Sequence, residues 1–144
     1  MPYQNLPAKT IDEYRQIFVD LYCDLNKPII TFDGITVKFY ADMFEHAFYE
    51  SSNWKKGDKS LFSYNRAEKI FWIKDALEDS SAILKTGWEK STKSYNKSRR
   101  VAIVKNNYVV IIWIKNNKEA KFITAYEADK SINLILSGDD WKGI

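Results

Sequence analysis

The chain has one histidine, His46, in the stretch Phe44-Glu45-His46-Ala47-Phe48. Twenty residues later Arg66 stands in Leu61-Phe62-Ser63-Tyr64-Asn65-Arg66-Ala67-Glu68-Lys69-Ile70. A histidine titrates near neutral pH and can take or give a proton. An arginine is a permanent cation that forks onto phosphate or carboxylate oxygens. Together they suit acid–base chemistry on an anionic substrate, provided the fold brings them together.

Competing chemistries are poorly supplied. One histidine and one cysteine, Cys23, make no nitrogen–sulfur metal cluster and no internal disulfide. The carboxylates are scattered, although a carboxylate-only magnesium site stays open at this level. Neither a G-x-x-x-x-G-K-[ST] loop nor a G-x-G-x-x-G turn occurs, and there is no G-x-S-x-G elbow. No cofactor and no metal are therefore expected.

Metal-free transfer at an RNA phosphodiester needs less. The 2′-hydroxyl is already beside the phosphorus, so the protein supplies a proton acceptor or donor and cations for the developing charge. Aromatic side chains can hold splayed bases by stacking. Charge distribution fits a polyanion partner. Residues 85–121 hold ten basic and two acidic side chains, whereas the remainder holds twelve basic and seventeen acidic, within a net charge of +3. The plainer reading of such a block is a solvated sheet face.

At 144 residues, with 45% hydrophobic and 15% aromatic side chains, the chain is expected to form a single domain with a real core. Its first ten residues carry no apolar run and its longest apolar run is too short to span a bilayer, so a soluble, cytoplasmic protein is expected. Thr10-Ile-Asp-Glu13 has capping-box spacing, and Ile11, Tyr14, Ile17, Phe18, Leu21 and Leu25 form a stripe, which predicts a helix over 10–26. Ile29–Phe32 and Ile35–Phe39 around Asp33-Gly34 read as a hairpin. A short helix follows over 41–49, with His46 on the flank of its apolar side. A polar loop over 50–62 carries Lys55, Lys56 and Lys59. Ser63 then caps a helix over 64–79, whose stripe of Ala67, Ile70, Ile73 and Leu77 includes Arg66. A buried guanidinium must meet an anion, a carbonyl cluster or water; otherwise its stem packs and its head reaches solvent.

Residues 86–98, with Trp88 and Tyr95 among lysines, read as an irregular basic segment. Strands are expected at 100–104, 108–114 and 120–126, with turns at Asn106-Asn107 and Asn116-Asn117. The run Tyr108–Ile114 suits a central strand buried on both faces. In the last strand, period two puts Phe122, Thr124 and Tyr126 on one face. Thr124 is an ordinary strand residue by propensity, or a polar handle between two aromatics. Residues 127–144 have no assignment. The expected class is α+β, N-terminal helices packed on one face of a twisted antiparallel sheet that ends in a meander.

The order His46-Ala-Phe, a lysine-bearing loop, Phe-Ser-x-x-Arg-Ala-Glu-x-Ile-x-x-Ile and a meander ending Phe-Ile-Thr-Ala-Tyr resembles the phage-encoded nuclease-like domains of the barnase–EndoU–colicin–RelE superfold. The resemblance spans about residues 36–126, within a nuclease-like core of about 29–126. It implies a small metal-independent ribonuclease, a toxin or phage effector. His46, Arg66 and Thr124 would be catalytic, joined by Lys59 and Tyr126, and a single histidine would share its proton work with Lys, Glu or Tyr. Tyr95, Trp88, Lys93, Lys97, Arg99 and Arg100 would contact RNA. The alternative is a non-catalytic protein on the same fold that binds RNA, or that inhibits a nucleic-acid-handling protein. A protein partner, an antitoxin or a host nucleic-acid machine, is compatible with either. A third reading makes the aromatics an assembly face.

Overall fold

The computed structural model describes residues 3–50, 61–89, 94–116, 118–129, 131–137 and 140–141, with the side chains of 50, 87–100 and 131 set aside. Helix α1 spans Ile11–Tyr22 and starts on the expected capping box, with Thr10 and Glu13 satisfying each other's backbone amides. It ends one turn early. Leu25 lies beyond it at 86% exposure, so it is not part of the stripe. Strands β1 (Ile29–Ile30) and β2 (Thr36–Lys38) pair as the expected hairpin, shorter than its apolar runs suggested. Gly34 takes φ +91° at the turn, a conformation glycine adopts without steric cost.

Helix α2 (Met43–Phe48) leads through β3 (Tyr49–Glu50) and β4 (Leu61–Phe62), which pair with each other, into α3 (Tyr64–Ala67) and α4 (Ile70–Glu78). The single helix expected over 64–79 is thus two, broken at Glu68-Lys69. The break coincides with a buried lysine. Lys69 Nζ lies 3.1 Å from Glu68 Oε1, 3.7 Å from Glu127 Oε1 and 5.5 Å from the Trp72 ring centre. A buried ammonium needs such partners.

The second correction concerns residues 86–98. They are not irregular where described: β5 (Ile83–Glu89) and β6 (Ser94–Lys105) form an antiparallel hairpin with Trp88 opposite Tyr95. Alternation is hidden here because the register jumps. Thr86 pairs Val101 but Gly87 pairs Asn96, leaving Lys97-Ser98-Arg99-Arg100 as extra residues on β6. Strands β7 (Tyr108–Asn116) and β8 (Glu119–Glu127) complete the meander, and Asn106 takes φ +55° in its tight turn.

The main sheet runs β1-β2-β8-β7-β6-β5, antiparallel throughout except for the parallel β2–β8 pair. Strand β7 is central and buried on both faces, as its apolar run requires. On the first face Tyr108, Val110, Ile112 and Ile114 meet the helices, with Phe18 in contact with the rings of Tyr22, Phe39, Phe44, Phe48 and Phe122. On the second face Val109 and Ile111 meet α5 (Ser131–Leu136) through Ile132, Ile135 and Leu136. Asp140 bridges Lys85, and Trp141 packs into the first-face core.

The N-terminal segment is strapped across α4. The Tyr3 amide and hydroxyl donate to Asp75 and Asp79, and its ring meets Trp72 edge-on. Asp79 also accepts from the Ser81 hydroxyl and amide and pairs with Lys105 at 3.2 Å. Ser81's two hydrogen bonds, then Tyr3 and Lys105, hold the Asp79 carboxyl well below the usual carboxylate range. A depressed folded-state pKa contributes stability that is present above the unfolded value, about 4, and lost as pH falls below it. In Asp79→Asn, chemical denaturation at pH 7 and pH 3 should therefore show a smaller stability difference than in the parent chain.

Candidate functional site

The site forms where α2, α3 and β8 meet. Ser63 fixes the start of α3. Its hydroxyl accepts from the Arg66 amide at 3.2 Å, while its own amide donates to the Phe48 carbonyl at the end of α2. Arg66 is thereby aimed back at α2, and Nη1 donates to the Ala47 carbonyl at 3.1 Å. That carbonyl is one of the orphan acceptors of a helix end, so the guanidinium caps α2. Its other side is covered by β8: Cζ lies 5.7 Å from the Tyr126 ring centre, within cation–π range. Arg66 is half-buried and meets a carbonyl, one of the three partners its position demanded.

His46 precedes Ala47 in the last turn of α2 and is exposed. Arg66 and Tyr126 are in contact, and His46 is the chain neighbour of the residue that Arg66 holds. Lys69, at the start of α4, pairs with Glu127, which follows Tyr126 on β8, so two cations and the carboxylates Glu68 and Glu127 share this edge of the sheet. Sequence reasoning missed Lys69 and Glu127. The spacing Arg66, Lys69, Trp72 was the available signal, since residues three apart lie on one helical side.

Thr124 is placed differently from the expectation. A bulge in β8 pairs Ile111 with Thr124 but Ile112 with Phe122. Phe122 therefore joins the first-face core, while Thr124 and Tyr126 lie opposite Ile111 and Val109 of the second face. Phe122 and Thr124 do not share a face. The extra residue, Ile123, breaks the period of two on which that expectation rested. Thr124 Oγ1 is buried and has no hydrogen-bond partner among the described residues. An unsatisfied buried hydroxyl costs about 1–3 kcal/mol. Thr124→Val should accordingly raise stability in denaturant melts, by roughly 1 kcal/mol.

Lys59 and Lys93 lie outside the described residues. Trp88, Tyr95, Lys97, Arg99 and Arg100 belong to the β5–β6 hairpin, at the other end of the sheet. Arg100 is level with Trp113 and Lys121, while Tyr126 is level with Val109 and Val104. Five residues of β8 separate the two levels, roughly 16 Å at ~3.3 Å per residue. The structure does not bring the hairpin to Arg66. Among the described residues no group of three His, Cys, Asp or Glu side chains is arranged to hold a metal, and no helix is long and apolar enough to cross a membrane.

Fold and site together define an α+β protein in which helices on a mostly antiparallel sheet set an arginine between a helix end and a tyrosine ring, with His46 in the last turn of that helix. Beyond that class, comparison with known proteins adds no closer relation: no family model, no curated protein and no solved structure matches the chain.

Proposed function

We propose that this chain is a small metal-independent ribonuclease-like protein that cleaves RNA by 2′-hydroxyl attack. The observation that carries the reading is the Arg66 guanidinium, held between the Ala47 carbonyl and the Tyr126 ring, with exposed His46 one residue before Ala47 in the last turn of α2. His46 takes the 2′-hydroxyl proton, the 2′-oxygen bonds to phosphorus, and the P–O5′ bond breaks. The 5′-oxygen leaves with a proton from Tyr126, Lys59 or the imidazolium, and a 2′,3′-cyclic phosphate remains. Arg66 supplies the positive charge for the oxygens on which charge develops. The resemblance to nuclease-like domains of the barnase–EndoU–colicin–RelE superfold, and a toxin or phage-effector role, belong to this proposal.

The test is incubation of purified protein with RNA in excess EDTA. The expected products carry 2′,3′-cyclic phosphate ends, and the same oligonucleotide with 2′-deoxy or 2′-O-methyl sugars stays intact. Cleavage of the deoxy form, or dependence on added metal, would discard this chemistry. A second reading is favoured by the burial of Thr124 Oγ1, which closes one expected phosphate ligand. In it, the same surface binds RNA or a nucleic-acid-handling protein without turnover.

A further inference from the structure

One continuous helix over 64–79 would satisfy its backbone more fully than the two short helices this chain forms. Each helix end leaves orphan amides or carbonyls, and the break at Glu68-Lys69 adds two such ends. Lys69 stands at the N-terminal cap of α4 with non-helical φ −100° and ψ 23°, yet its side chain makes no capping hydrogen bond. That side chain is buried instead, and the residue is only 5% exposed.

The surroundings of the ammonium are specific. Lys69 Nζ lies 3.4 Å from the Asn65 carbonyl, 3.1 Å from Glu68 Oε1, 3.7 Å from Glu127 Oε1 and 5.5 Å from the Trp72 ring centre. Of these groups only Glu127 lies on the sheet, at the end of β8. Apolar rings wall the place. Trp72 meets Tyr108 edge-on at 5.2 Å, and buried Tyr108 is the register partner of Glu127. A partly buried ion pair in such surroundings is screened little by salt.

These contacts close a circuit through Arg66. The Lys69 amide donates to the Arg66 carbonyl at 3.2 Å. The Lys69 ammonium pairs with Glu127, and Glu127 follows Tyr126 in the chain. The Tyr126 ring centre lies 5.7 Å from Arg66 Cζ. Stability alone does not call for an ammonium here, because apolar side chains of similar volume commonly replace a buried ion pair at no loss. We infer that Lys69 is a positioning residue: through Glu127 it fixes the end of β8, so that the Tyr126 ring stays against the Arg66 guanidinium. Its effect on rate rests on the ribonuclease reading; its effect on the Arg66–Tyr126 contact does not.

The test is Lys69→Met in the full chain, which keeps an apolar stem and removes the charge. The Glu68 and Glu127 side chains are 38% and 35% exposed, so their carboxylates keep water, and the denaturant midpoint should be no lower than the parent's. With RNA in EDTA, kcat should fall about 10²-fold, the scale of a small misplacement near the reacting atoms. KM should stay unchanged, because the lost geometry matters where charge develops. Glu127→Gln should reproduce this loss, and the double variant should lose no more than either single one.

A second readout is independent of cleavage. The Arg66 Nε–H resonance in proton–nitrogen correlation spectra, assigned by its absence in Arg66→Lys, feels the Tyr126 ring. In Lys69→Met and Glu127→Gln it should move toward its position in Tyr126→Leu. A resonance that stays in place in both variants overturns the positioning role, and so does a kcat equal to that of an active parent. Should Lys69→Met fail to fold, Glu127→Gln carries both readouts. A parent chain that does not cleave RNA removes the ribonuclease reading, and the resonance alone then decides the role of Lys69.

Discussion

Phe18→Ala is expected to destabilise the chain by about 3–5 kcal/mol in urea or guanidinium melts. Phe18 is fully buried, and its ring lies 5.6–6.2 Å from those of Tyr22, Phe39, Phe44, Phe48 and Phe122. These rings come from α1, the segment after β2, α2 and β8, so this residue joins the helical layer to the sheet. Collapse into the vacated volume is restricted because the neighbours also hold one another, Tyr22 against Phe39 at 4.5 Å and Phe39 against Phe122 at 4.7 Å. The cavity cost therefore adds to the lost transfer energy. A domain is typically stable by only about 5–15 kcal/mol, so the variant should unfold at a much lower denaturant midpoint. Leu25→Ala is the control. It sits outside α1 at 86% exposure and should change stability by less than about 0.5 kcal/mol. A small effect at Phe18 would show that the aromatic layer is not where the helices are held.

That contrast marks what the sequence made legible. Where one face of an element is buried and its ends carry local chemistry, period and boundary both appear in the residues. The Thr10 capping box and the Tyr14-Phe18 stripe of α1, the Asp33-Gly34 turn and the apolar run Tyr108–Ile114 of β7 were readable for this reason. The α+β class followed from their order. Failures came where the chain departs from a constant period. The bulge at Ile123 moved Phe122 to the face opposite Thr124. Four extra residues on β6 disguised a strand as an irregular segment. The break at Glu68-Lys69 serves a buried ammonium whose partner Glu127 is fifty-eight residues away, a long-range fact that no local window contains. For the site, residue types and spacing singled out Arg66, and Tyr126, named only as what the resemblance implies, meets it. Only the fold could show that Arg66 is already committed to the Ala47 carbonyl, and that the hydroxyl of Thr124 faces inward.

Arg66 and His46 should separate under substitution, because the two side chains stand in different environments. Arg66→Ala removes the cap on α2 and the contact with Tyr126. A hydrogen bond from a charged donor is worth about 1.5–3 kcal/mol and a partly desolvated cation–π contact about 0.5–2, so stability should fall by roughly 2 kcal/mol. On the ribonuclease reading kcat/KM should fall further, by about 10²–10³-fold, the usual cost of one lost donor to a developing charge. Arg66→Lys keeps the charge without the planar fork, and should recover part of the stability and little of the rate. His46→Ala should behave in the opposite way. The side chain is exposed, so the melt should barely move, while cleavage in EDTA should drop about 10²–10⁴-fold. In the double variant the rate losses should not add, since a base without its electrostatic partner has little left to lose. Both rates measured at a temperature where every variant is folded decide the matter. If Arg66→Ala costs stability but cleavage survives both substitutions, the guanidinium is only the C-terminal cap of α2, and the chemistry must be sought elsewhere on the molecule.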